Sequence, residues 1–111
     1  MAIIEVSIVF EGGARIGPDA ARLLESIRET GSISAAARRV GMPYKKAWML
    51  LDSLNQAFNE PIITAAPGGA GGGGATLTNF GVEVLERYQR LAKQAAEVAA
   101  NEAAALARKA R

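Results

Sequence analysis

Residues 32–58 read SISAAARRVGMPYKKAWMLLDSLNQAF, two helix-patterned runs separated by a glycine and a proline. Ser32 or Ser34 can cap the first run, which is about two turns long and reaches Gly41. The second opens near Pro43, a residue suited to a helix start, and continues to Phe58. Along it Ala47, Leu51, Leu54 and Phe58 recur at helical spacing as a buried stripe, flanked by Leu50 and Trp48. Lys45, Lys46, Met49, Asp52 and Ser53 take the opposite face. Small Ala36 and Ala37 let two helices cross closely, and Gly41 permits a tight turn. A short helix, a link of about three residues and a longer helix match a helix-turn-helix, whose second helix enters a major groove. The same residues fit an αα-hairpin with a basic surface, and this pattern alone leaves both readings open.

Upstream, Ile4, Val6, Ile8 and Phe10 alternate with Glu5, Ser7 and Val9, which predicts a strand with one buried face. Gly12 and Gly13 mark a turn into a short return strand around residues 14–16. Gly17, Pro18 and Asp19 then open a helix whose Ala20, Leu23, Leu24 and Ile27 face the core, and Gly31 ends it.

Downstream, two strand-like segments, residues 62–66 and 75–77, enclose GGAGGGG at residues 68–74, six glycines in seven positions. In this place a hairpin is a wing. A tip without side chains can bring backbone N–H groups close to a phosphate backbone or into a minor groove. Gly69, Gly71 and Gly74 also fit a G-x-G-x-x-G pattern, but a strand follows and no P-loop lysine is present.

A last helix is expected from Thr78 onward. Val84, Tyr88, Leu91, Ala95 and Val98 form one stripe, and Leu85, Ala92, Ala96, Ala99, Ala103 and Leu106 an adjacent one. Some 30 residues of helix span about 45 Å. A domain this small cannot bury so long an apolar face, so the expected cover is the same helix of a second copy. Val84, Leu85, Tyr88, Leu91, Ala95 and Val98 are the candidate dimerisation residues. The alternative is a helix folded partly on its own domain with a frayed tail.

The 111 residues suit one compact unit. There is no cysteine and no histidine, which removes disulfides, thiolate chemistry and the commonest metal ligand and general base. No paired base and nucleophile can be named, so the expectation is not an enzyme. No apolar run reaches membrane length, and the start is unlike a signal peptide; a soluble, cytoplasmic protein without a membrane partner is expected. The net charge is only +2, but residues 30–51 carry four bases (Arg38, Arg39, Lys45, Lys46) and no acid. Such a local positive field suits a polyanionic partner.

The run SISAAARRVGMPYKKAWMLLDSLN, followed by GGAGGGGATLTNFG, resembles the N-terminal DNA-binding domain of ModE-type molybdate-responsive transcriptional regulators. More distantly it is similar to the winged helix-turn-helix of LysR-type regulators. The resemblance implies a bacterial homodimer in which paired recognition helices, here residues 43–58, read an inverted repeat in double-stranded DNA. The DNA-facing candidates are Ser34, Arg38, Arg39, Tyr44, Lys45, Lys46 and Met49, with Gly69, Gly71, Gly72 and Gly73 at the wing tip. Tyr44 packing against Trp48 is an equal alternative.

The expected fold is mainly α with a small β component: a winged helix-turn-helix over residues 1–78 and a long C-terminal dimerisation helix over 79–111. No cofactor or metal site is evident, and the oxyanion-binding module with which full-length members sense molybdate has no counterpart before Arg111. Two other classes stay open, a protein-interaction module that does not bind DNA and a small oxyanion-binding regulator.

Overall fold

The computed structural model describes residues 2–66 and 74–111. The order of elements is β1 (Ile8–Val9), β2 (Arg15–Ile16), α1 (Pro18–Thr30), α2 (Ile33–Val40), α3 (Tyr44–Ala57), β3 (Ile63–Ala66), β4 (Gly74–Leu77) and α4 (Asn79–Ala107). It is the mainly helical fold with two small antiparallel sheets that the pattern predicts.

The N-terminal ladder is shorter than its alternation implies. Only Ile8 pairs with Ile16 and Val9 with Arg15. The period of two still sorts the sides correctly, since Val6, Ile8 and Phe10 pack against the core while Ser7 and Val9 are exposed. A turn closed by the Phe10 amide on the Ala14 carbonyl (2.8 Å) leads into β2.

Helix α1 starts with Pro18 in its first turn and ends on Gly31, which adopts the left-handed conformation at φ 69°. Ser32, rather than Ser34, caps α2 by accepting from the Ala35 amide at 3.1 Å. Gly41 closes α2 at φ 72°, and the Met42 amide returns to the Ala37 carbonyl at 2.8 Å. These glycines supply the positive φ that a side chain would resist.

The core is formed by Leu23, Leu24 and Ile27 of α1, Ala36 and Ala37 of α2, Ala47, Leu51 and Leu54 of α3, and Ile62 ahead of β3. Phe10, Phe58 and Phe80 make an edge-to-face row, with centroids 5.1 and 5.4 Å apart, and tie the N-terminal segment, α3 and α4 together.

The first third of α4 belongs to this core. Val84, Leu85 and Tyr88, expected as dimerisation residues, are buried within the chain's own domain. The Tyr88 hydroxyl donates to the Val6 carbonyl at 2.7 Å. Beyond it the start of the chain lies beside the end of α4, with Ala2 and Ile4 flanking Ala96, Ala100 and Ala103. The helix continues to Ala107. The radius of gyration is 15.9 Å, against about 13 Å for a compact unit of this length, because α4 projects past the core.

Candidate nucleic-acid interface

Helix α3 leans on α2 through Ala36, Ala37 and Ala47, all nearly inaccessible to solvent. Their small side chains let the two helices pack closely enough for a three-residue link. The buried stripe of α3 turns its opposite face outward, and Tyr44, Lys45, Lys46, Trp48 and Met49 are all exposed there. Tyr44 is 52% accessible and Trp48 50%. Neither is in the core, and the two side chains line the same cleft beside the hairpin.

The start of α3 is electrostatically open. Pro43 precedes it without a side-chain cap, and no acid lies in its first turn. The first amide engaged by the helix is that of Ala47, which donates to the Pro43 carbonyl at 3.0 Å. The amides of Tyr44, Lys45 and Lys46 precede it and have no helical partner. They add their partial positive charge to the two lysines.

The cations divide clearly. Arg22 pairs with Asp19, Arg28 with Glu25 and Glu86, and Arg87 with Glu83. Among the described residues Arg38, Lys45 and Lys46 make no ion pair, and the same holds of Arg15, Arg90, Lys93, Arg108, Lys109 and Arg111 elsewhere in the chain. Arg39 lies on the side of α2 that reaches α1, where its guanidinium is 3.5 Å from Glu29. That pair is exposed and weak, so it does not commit Arg39. Ser34 shares the other side of α2 with Arg38, four residues on, and is half-buried.

Acids return toward the end of α3. Asp52 faces a cleft that Glu11 and Gly12 of the β1–β2 turn line from across the helix. Favourable ground for a polyanion is therefore the first two turns of α3 and the adjoining ends of α2.

The hairpin β3–β4 pairs Ile63 with Leu77, Thr64 with Thr76, Ala65 with Ala75 and Ala66 with Gly74. Its base is fastened at three places. The Ala75 amide donates to the Gly31 carbonyl at 3.0 Å, and Gly74 bridges to Ser32. The Asn55 side chain accepts from the Ile62 and Ile63 amides at 2.8 and 3.2 Å and donates to the Ile63 carbonyl at 3.3 Å. The Thr78 amide donates to the Ile62 carbonyl at 3.1 Å. The hairpin is thus fixed beside α3. Gly69, Gly71, Gly72 and Gly73 lie outside the described residues.

Asn55 was not singled out in the sequence. Its only signal is a polar residue beside buried Leu54, on the flank of an otherwise apolar stripe. The exposure of Trp48 was equally hidden, since a tryptophan next to that stripe reads as core.

Residues 18–82 match the family of bacterial regulatory helix-turn-helix proteins of the lysR type. The chain belongs to that family. The family is one of regulators and not of enzymes.

Similar proteins include the molybdenum-pterin-binding protein MopB of Rhodobacter capsulatus, 50% identical over 76 residues, or 68% of this chain and 28% of that protein. MopA of the same organism is 46% identical over 86 residues, 78% of this chain and 32% of that protein. The DNA-binding transcriptional dual regulator ModE of Escherichia coli (strain K12) is 41% identical over 71 residues, 64% of this chain and 27% of that protein. The ModE-type resemblance in the helix-turn-helix protein's sequence is thus found again by comparison. The chain matches about a third or less of the length of these relatives. Among the described residues no group of three or more acidic side chains is gathered as a metal site, and no helix is long and apolar enough to cross a membrane.

Proposed function

We propose that this helix-turn-helix protein binds double-stranded DNA as a homodimer and acts as a transcriptional regulator, with α3 in the major groove and the β3–β4 hairpin as the wing beside it. The observation that carries the reading is the start of α3. Two lysines without ion pairs and three amides without helical partners share an exposed first turn that holds no acid. Phosphates on either side of a major groove complement that face. Arg38, Ser34 and, on release from Glu29, Arg39 extend it along α2. The family match and the regulator name of the ModE relative point the same way.

The far half of α4 supports the homodimer reading. Leu91, Val98 and Leu106 are exposed, the last two at 86% and 71%, on a helix that has left the core. A second copy of α4 supplies matching apolar length, and two copies related by a two-fold axis would read an inverted repeat.

The test is fluorescence anisotropy of labelled duplex from the gene's own upstream region, titrated at several salt concentrations. Sequence-dependent affinity that falls with salt is expected, and Lys45→Ala with Lys46→Ala should flatten the log–log slope by about two. Absence of binding at low salt by the folded protein overturns the reading and leaves the protein-interaction and oxyanion alternatives.

A further inference from the structure

The outer face of α3 exposes large apolar side chains beside its lysines. Met49, 56% exposed, lies opposite the buried Ala47–Leu51–Leu54 stripe, at the edge of the cleft that Glu11 and Asp52 also line. Trp48 lies next to it on the flank toward the hairpin, where it lines a cleft with Tyr44, Ile63 and Thr64. Folding does not explain this placement, because neither side chain is in the core and each leaves a large apolar surface in water.

Of the hydrogen-bonding groups farther along α3, Ser53 is exposed and free, while Asn55, Gln56 and Asp52 are engaged within the chain. Asn55 holds the backbone ahead of β3, and Gln56 donates to Asp52 at 2.9 Å. Apart from Tyr44 and two lysines, the first two turns therefore offer base edges mainly apolar contact. A major groove presents one apolar group, the C5-methyl of thymine.

We infer that Trp48 and Met49 are specificity-determining residues that read thymine C5-methyl groups. This rests on the DNA-binding reading above and goes beyond it by naming the feature of the base pair that is recognised. The lysines set affinity through phosphates, and the Trp48–Met49 pair sets discrimination through methyl contacts that salt does not screen.

The experiment uses a duplex that the full chain selects from a random-sequence pool, prepared once with thymidine and once with deoxyuridine at every thymidine position. The wild-type protein should bind the uracil form roughly tenfold more weakly with an unchanged salt slope. Trp48→Ala and Met49→Ala should bind both forms with similar, reduced affinity. Trp48→Phe and Met49→Leu, which keep apolar contact, should retain the preference. Trp48 is the chain's single tryptophan, so its fluorescence should become shielded from acrylamide when the thymine duplex binds. Circular dichroism checks that the variants fold.

Equal wild-type affinity for the two forms, with salt-dependent and sequence-specific binding intact, overturns the methyl-reading role and leaves the DNA-binding reading standing. Full discrimination by both alanine variants does the same. A folded protein that selects no duplex from the pool overturns the DNA-binding reading, and this inference with it.

Discussion

A side-chain carbon on Gly81 would overlap the Ile62 carbonyl oxygen and lie 2.9 Å from the carbonyl carbon. Gly81 is in the first turn of α4, where the Thr78 hydroxyl accepts from its amide at 2.9 Å and donates to the Pro61 carbonyl at 2.8 Å. Threonine caps the helix and grips the segment ahead of β3, and glycine lets the helix backbone touch that segment. The obstacle to a larger residue is backbone, which cannot swing aside. Gly81→Ala is therefore expected to cost about 1–3 kcal/mol or more, measured as a lower urea midpoint at unchanged slope.

Asn55 holds the segment from Ile62 to Ile63 with three hydrogen bonds from one amide side chain. Asn55→Ala leaves two backbone amides without that partner at the root of the hairpin. The expected loss is about 1–3 kcal/mol. Hydrogen exchange should quicken first at the Ile62 and Ile63 amides, ahead of those in α1. Equal acceleration throughout the chain would mean that Asn55 supports the fold globally and not the hairpin.

The helices were legible because their signals are local. Pro18 and Gly31 bound α1, Gly41 and Pro43 separate α2 from α3, and Thr78 caps α4. The basic exposed start of α3 could be read from spacing alone. What could not be read depends on contacts distant in sequence. The alternation before Phe10 looks like a full strand, yet its partner is two residues long. Val84 and Tyr88 follow the same helical stripe as Val98, and Leu85 the stripe that runs on to Leu106; only the fold separates those covered by α1 and the N-terminal segment from those past the core. Asn55 acts on a backbone seven and eight residues away, and no periodicity encodes that.

Tyr88 should give the chain an alkaline weakness. Burial, with a smaller contribution from the Glu5 carboxylate, raises its phenol above the ordinary 10.0. The neutral hydroxyl is the form that donates to the Val6 carbonyl. A group whose pKa is raised on folding contributes stability that is complete below the unfolded pKa. That contribution is lost as pH rises through the folded value. Stability should therefore fall above about pH 10 as the hydrogen bond is lost. Tyr88→Phe should cost about 0.5–1.5 kcal/mol near neutrality and remove this part of the alkaline slope. Urea titrations at a series of pH values, with wild type and variant side by side, compare the two slopes directly.

The two halves of α4 should respond oppositely to the same substitution. Leu85 is 1% exposed and Val98 86%, although both stand in the apolar pattern of one continuous helix. Leu85→Asp places a carboxylate in the core and should unfold the domain, visible as lost helical circular dichroism. Val98→Asp leaves the monomer's contacts intact and should preserve the spectrum. In the proposed dimer, however, a carboxylate buried between two copies of α4 costs about 3–5 kcal/mol. Sedimentation should then show wild type as a dimer and folded Val98→Asp as a monomer. Binding to a duplex with two half-sites should weaken in parallel, because each folded unit then engages only one. A Val98→Asp protein that sediments like wild type would move the dimer contact away from this face of α4.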